Sequence, residues 1–137
     1  MSEYPTFTWS VRVYWEDTDA GGVVYYANYL KFLERARTEW LSALGLEQDR
    51  LAETAGVVFV VRRVEADYLR PARFNDRLVV RCELVEVSRA SLTMVQEVRR
   101  GEELLLAARV KVACVERETF RPARIPAFVM DAFGTAR

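Results

Sequence analysis

Histidine is absent from all 137 residues, and this absence removes more chemistry than any other feature of the chain. Ser-His-Asp and Cys-His catalysis, the helical zinc motif with two histidines, and imidazole acid–base transfer are all excluded. An enzyme built from this chain must use carboxylates, tyrosine, lysine, backbone amides or a bound cofactor. Cysteine is scarce: Cys82 and Cys114 are the only two, at a spacing that fits no metal or disulfide pattern. Neither standard glycine-rich phosphate loop occurs, so nucleotide hydrolysis and dinucleotide binding have no support. Net charge is missing as well. Twenty basic residues balance twenty acidic ones, which argues against nucleic acid or an anionic membrane surface as the main partner. No apolar run is long enough to span a bilayer, so membrane insertion is not expected. The opening MSEYPTFTW has no basic stretch leading into an apolar one. No signal peptide is expected, and the default location is the cytoplasm.

What remains fits one globular domain over residues 1–137. A hydrophobic content of 51% with 29% charged residues is ordinary for a folded protein, and the length allows a core without disulfide staples. Residues 7–15 alternate, with Phe7, Trp9, Val11, Val13 and Trp15 on one side, and predict a half-buried strand. Lys31, Glu34, Arg35, Thr38, Glu39 and Ser42 then fall on one helical stripe with apolar residues around the rest of the circumference. The spacing predicts a helix with Asn28 as N-cap and Gly45 just past its end. Arg37 lies off the polar stripe, between Leu30, Leu33, Leu41 and Leu44. It is expected to bond a carboxylate or backbone carbonyl, with Glu34 or an acid of the 16–19 turn as partner.

From residue 57 onward the pattern is extended. Strands are expected over 57–69 and 78–87, then in SLTMVQEVRR and LLLAARVKVACVE, which Gly101 joins as a hairpin. The proline-punctuated end closes in a helical turn. Cys82 and Cys114 share the apolar parity of their strands and are read as buried hydrophobes. One long helix with an antiparallel sheet is an α+β arrangement. Phe59, Val61, Val85, Val87 and Val95 fall on strand parities away from the presumed core, which points to self-association.

Between the first strand and the helix stands WEDTDAGGVVYYANY, residues 15–29, which crowds acids and glycines ahead of a helix N-terminus. The longer segment VYWEDTDAGGVVYYANYLKFLERARTEWL resembles the signature of the hotdog-fold acyl-CoA thioesterases. The similarity is to the 4-hydroxybenzoyl-CoA thioesterase-like group and the related thioesterases associated with the bacterial Tol-Pal system. VVRRVEADYLRPARFNDRL also fits, so the resemblance covers roughly residues 10 to 126. It implies a five-stranded antiparallel sheet wrapped around one long helix. It also implies homo-oligomers, dimers with a continuous sheet paired into tetramers, with active sites at the dimer interface and acyl-CoA as substrate. The family's catalytic carboxylate falls on Asp19, which on spacing alone also reads as a turn or capping acid. Many members of the Tol-Pal-associated group have a histidine after the tyrosine of VVY, where this chain has Tyr26.

The chemistry suits those residue types. A thioester has a good thiolate leaving group, so hydrolysis needs a nucleophile or base on one face of the carbonyl and stabilisation of the oxyanion. A carboxylate supplies the first, by direct attack or by activating water. Unpaired amides at a helix start supply the second. Asp17 is read as a local hydrogen-bonding acid and Glu16 as solvated. Gly21 and Gly22 permit the turn, and Gly22 approaches the substrate; Tyr25 and Tyr26 are read as core or as pocket wall against the substrate, Tyr26 contributing its backbone amide or its phenol. Arg89 and Ser91 fall where family members approach the pantetheine or phosphates of CoA, although a plain surface charge also accounts for Arg89. No metal and no cofactor is expected. Two other functions stay open on the sequence: hydrolysis of acyl-carrier-protein thioesters, and a non-catalytic acyl-CoA-binding module.

Overall fold

The computed structural model describes residues 5–134. The chain runs through β1 (Thr6–Arg12), a short 3-10 turn (Trp15–Asp17), α1 (Asn28–Ala43) and α2 (Gln48–Thr54). Then come β2 (Val57–Tyr68), β3 (Arg77–Val87), β4 (Ser91–Arg100), β5 (Glu103–Glu116) and α3 (Ala127–Phe133). The strands form one five-stranded sheet in the order β1-β3-β4-β5-β2, every pairing antiparallel.

Period decides what α1 buries. Tyr29, Phe32, Leu33, Ala36, Trp40 and Leu41 are buried, and every residue of the predicted polar stripe is exposed. The buried arc packs on the sheet face carrying Leu78, Val80, Cys82 and Leu84 of β3 and Met94 and Val98 of β4, all in one core with it. Phe7 of β1 stacks on Trp40 with ring centroids 6.0 Å apart, and Phe133 of α3 meets the same indole edge-on at 5.1 Å. The helix ends where expected. Gly45 takes a φ of +76, its amide donates to Ser42 O at 3.0 Å and that of Leu46 to Leu41 O at 2.7 Å. This pair of bonds, with Leu46 and Leu41 both buried, is a Schellman stop.

Three expectations change. Asn28 is the first residue of the helix, not its cap; its Nδ2 donates to Asp17 O at 2.9 Å, because a turn at residues 25–28 has already coiled the chain. The first strand stops at Arg12, and Trp15 leaves it to stack on Phe74 at 3.9 Å, 70% exposed. The far face of the sheet is less apolar than expected: Val95 lies on it, paired with Glu83 and Arg109, but three of the other expected residues do not. β2 carries a one-residue bulge at Arg62, since Val61 pairs with Val112 and Arg63 with Lys111; β3 carries another at Val85, since Leu84 pairs with Met94 and Glu86 with Thr93. Bulges invert the parity read from alternation. Phe59, Val61 and Val87 therefore lie on the helix side, opposite Cys114, Val112 and Leu92. The outer face instead carries the ion pairs Arg81–Glu83, Arg99–Glu97, Arg109–Glu86 and Arg63–Glu65.

β1 and β2 are the edges of the sheet. On β2 the helix-side Val57 and Phe59 are buried, but Val61 and Val64 stay 47% and 38% exposed. Gln48 Oε1 accepts the amide of Phe59 at 3.0 Å, which closes the start of this edge and leaves the strand beyond it unpaired.

Both cysteines are buried, as expected. Burial pushes the Cys82 thiol up to about 11, against the opposing pull of its hydrogen bond from Gln96. Above about pH 8.5 an unfolded cysteine releases its proton while folded Cys82 keeps it, so stability falls as pH rises from there toward 11 and is untouched below. The loss attributable to this thiol is roughly 2–3 kcal/mol at the top of the window, to be read from denaturant midpoints. At pH 8 an aromatic disulfide reagent should label neither thiol in the native protein and both in guanidinium.

Candidate active site

The acidic turn is built around Asp17. Its carboxylate accepts the amide of Tyr14 at 2.8 Å. Its carbonyl accepts the amide of Tyr25 at 3.0 Å and the side-chain amide of Asn28 at 2.9 Å. Strand exit, loop and helix start thus meet on one residue, which is nearly buried. The local hydrogen-bonding role read for it is what the structure has.

Asp19 is placed differently. It is exposed, its Oδ1 accepts the amide of Gly21 at 2.8 Å, and its Oδ2 makes no hydrogen bond to a described residue. Asp19 N donates to Val23 O at 2.9 Å and Gly22 N to Asp19 O at 3.0 Å. Gly22 makes this turn at a φ of +80, which a residue with a Cβ rarely adopts. At Gly21 a Cβ would stand 3.2 Å from Asp19 Oδ1, so that glycine leaves the carboxylate its position. An isolated bridge of Thr18 with Val24 closes the loop on itself, and one of Val23 with Arg73 fastens it to the segment before β3. Val24 N also donates to Ala72 O at 2.8 Å.

α1 then opens with unspent donors. Its N-cap is Ala27, which has no side chain to cap with. The amides of Tyr26 and Ala27 donate to no described acceptor, whereas their neighbours Tyr25 and Asn28 donate to Asp17 O and Tyr25 O. Helix starts leave such amides free and carry the positive end of the dipole. A tyrosine cluster surrounds them. The Tyr25 and Tyr26 rings stand 4.9 Å apart, and Tyr68 lies 6.1 Å from Tyr26 and 5.5 Å from Tyr29. Tyr68 Oη donates to Tyr26 O at 3.0 Å. The Tyr25 phenol is raised by its hydrogen bond with Tyr26, and lastly by the charge of Asp19, and the Tyr29 phenol chiefly by burial.

The structure therefore gathers Asp19, Gly22, Tyr25 and Tyr26 into one loop beside the far end of β2. It does not bring Arg89 and Ser91 there. Ser91 pairs with Ala113, while Tyr68 pairs with Leu106. Seven residues of β5 separate the two ends, roughly 23 Å. Ser91 is buried, whereas Arg89 is exposed and shares a surface hollow with Arg124.

Two features escaped the sequence. Tyr68 joins the site only because the Arg62 bulge turns the second half of β2 over. The other is the partner of Arg37, which is neither a carboxylate nor a backbone carbonyl. Arg37 Nη1 donates to Gln96 Oε1 at 2.9 Å, and Gln96 is fully buried on the helix side of β4. The available signal was Gln96 itself, the one amide on the apolar parity between Met94 and Val98. Burial lowers the Arg37 guanidinium below its ordinary range, while Cys82 and Glu34 act in the other direction.

A helix cradled by an antiparallel sheet in this strand order is a hotdog fold. The comparisons agree. The model of the thioesterase-like superfamily matches residues 13–133. The acyl-CoA thioesterase YbgC of Haemophilus influenzae is 46% identical over 127 residues, covering 93% of each chain. A probable thioesterase from Bartonella henselae superposes with a TM-score of 0.85 at 36% identity, over 89% of this chain and 100% of that one. A 1,4-dihydroxy-2-naphthoyl-CoA thioesterase from Synechocystis gives a TM-score of 0.87 at 26% identity, over 95% and 96%. The chain belongs to the thioesterase-like superfamily.

A buried bond holds the segment before β3 to the helix: Tyr29 Oη accepts the amide of Ala72 at 2.9 Å. Tyr29→Phe keeps the ring and strands that amide. It should cost about 1–3 kcal/mol in chemical denaturation.

Proposed function

We propose that the chain hydrolyses acyl-CoA thioesters to the free acid and CoA, with Asp19 as nucleophile or general base and the amides of Tyr26 and Ala27 receiving the thioester oxygen. One observation carries this reading: a single loop presents a carboxylate with an unspent oxygen beside two unspent amides at a helix start. The carboxylate attacks the carbonyl carbon to give a mixed anhydride that water then hydrolyses, or it takes a proton from a water that attacks instead. Negative charge moves to the carbonyl oxygen, where the two amides and the helix dipole meet it, and the CoA thiolate leaves. The high-pKa phenol of Tyr25 stays protonated at neutral pH and is a donor to the substrate. The related YbgC protein of H. influenzae is described as an acyl-CoA thioesterase, which supports CoA as the carrier. The cytoplasm is the proposed location; no helix among the described residues is long and apolar enough to cross a membrane.

The active unit is a homodimer joined along the β2 edges. Two copies related by a two-fold axis pair these edges antiparallel. With the bulge at Arg62, helix-side residues meet helix-side residues when the axis falls between Arg62 and Arg63. Val61 then lies against the partner's Val64, and the exposed valines of both chains are covered. Tyr68, which touches the Tyr26 carbonyl, comes beside the start of the other β2, so each Asp19 loop faces the other protomer's helix-side cleft. Arg89 of that second protomer arrives at the same end, where it can meet the phosphates of CoA. Two such dimers make the tetramer that the family resemblance implies.

Asp19→Asn preserves the shape of the loop, so the variant should fold and still bind CoA thioesters while losing at least ~10²-fold in turnover. Asp17→Asn should lose less activity and more stability. Thiol release from a panel of acyl-CoA and acyl-carrier-protein thioesters, alongside thermal melts, makes the comparison; full activity in folded Asp19→Asn would end the carboxylate mechanism. Light scattering should give at least a dimer of the 15.8 kDa chain. Val64→Glu should shift that mass toward the monomer and lower turnover with it.

A further inference from the structure

We propose that Arg37 reads the acyl group of the substrate, selecting acyl groups of about six carbons that carry a neutral oxygen at the far end. The proposal rests on the edge-paired hydrolase described above and deepens it. Between α1 and the helix side of the sheet lies a cleft of about 130 Å³, with Phe59, Val61, Leu92 and Met94 among its apolar walls and Arg37, Glu34 and Thr38 along one side. This is the cleft that edge pairing sets before the other protomer's Asp19 loop. An apolar cavity of about 150 Å³ holds benzene, so one ring or a six-carbon chain is the size that fits.

A cation in such a wall needs an acceptor, and the structure supplies half of one. The amide nitrogen of Gln96 is spent on Leu33 O at 3.0 Å and Cys82 Sγ at 3.1 Å. Its orientation is therefore set, and its oxygen takes Arg37 Nη1. A guanidinium has five N–H groups, and Arg37 makes no other hydrogen bond to a described residue. No fully buried side-chain nitrogen or oxygen among the described residues lacks a partner, so the remaining guanidinium nitrogens are reached by water, and Arg37 lines the cleft. Despite its desolvation Arg37 stays charged, and an acceptor that excludes water from the cleft must replace what water supplied.

Glu34 decides which acceptor that is. It lines the same cleft, its charge favours the Arg37 cation, and its Oε2 accepts the Thr38 hydroxyl. The cleft is already neutral. A carboxylate tail would bring a second anion beside Glu34, and a plain alkyl tail would bury the fork unpaired. A hydroxyl or ketone oxygen does neither.

The test uses the full chain with hexanoyl-CoA, 6-hydroxyhexanoyl-CoA and adipoyl-CoA, three tails of one length with no oxygen, a neutral oxygen and an anion. Wild type should favour the hydroxylated ester over both others by ~10-fold or more in kcat/KM. Arg37→Met should bring its ratio to hexanoyl-CoA close to unity, and Arg37→Lys, which keeps the charge without the fork, should retain part of it. A merely structural role would lower all three rates together and leave the ratios unchanged. That outcome overturns the proposal, as does wild-type indifference or a preference for adipoyl-CoA. Absence of turnover on all three would instead tell against hydrolysis. Calorimetry with the corresponding non-hydrolysable thioethers reads the same ratios as affinities, and equal affinity for the hydroxylated and plain tails overturns the role of Arg37.

Discussion

The candidate site depends on a single residue that does no chemistry. Asp17 accepts the Tyr14 amide with its carboxylate and the Tyr25 and Asn28 amides with its carbonyl. These three bonds fold the segment between β1 and α1 back on itself. Because the carbonyl takes the Tyr25 and Asn28 donors, the helix begins without a side-chain cap and the next amides, of Tyr26 and Ala27, are left over. A better capped helix would spend those donors internally. The same fastening holds Asp19 outward, with one oxygen engaged by Gly21 and the other unspent.

The sheet contributes through its irregularities. Two bulges decide which side of β2 and β3 faces α1, and so place Tyr68 beside the tyrosines of the loop. The Arg62 bulge also gives β2 helix-side residues of matching parity about its midpoint, which is the condition for two copies to pair with their apolar strips together. A regular strand would satisfy that condition only with the axis through a residue. The outer face is laced with Arg–Glu pairs, whereas the β2 edge presents the exposed Val61 and Val64.

Within the core, Gln96 is the exception to an apolar interior and the origin of its chemistry. A fully buried amide is tolerated because the Leu33 carbonyl, Cys82 and Arg37 satisfy it. In return it holds a guanidinium at the wall of the cleft. Cys82 is drawn into the same contact, and burial still keeps its thiol protonated.

By itself the sequence determined the elements and the chemistry open to them. Period 3.6 marked the polar stripe of α1, and Gly45 marked its end. Alternation marked the strands, and the lack of histidine left carboxylates and backbone amides to act. The motif around Asp19 then identified the loop and the family. These properties are local: spacing along one segment sets the face it buries, and a short motif sets its own turn. Only the tertiary structure decided the rest. Alternation cannot announce a bulge, because one extra residue inverts parity between the two parts of a strand, so Phe59 and Val61, ahead of the Arg62 bulge, were assigned to the wrong face. Spacing along α1 showed that Arg37 needed a partner but not that it lay on β4, fifty-nine residues away. Likewise, Arg89 and Asp19 fall at opposite ends of one chain's sheet, and strand order, not sequence distance, sets that separation.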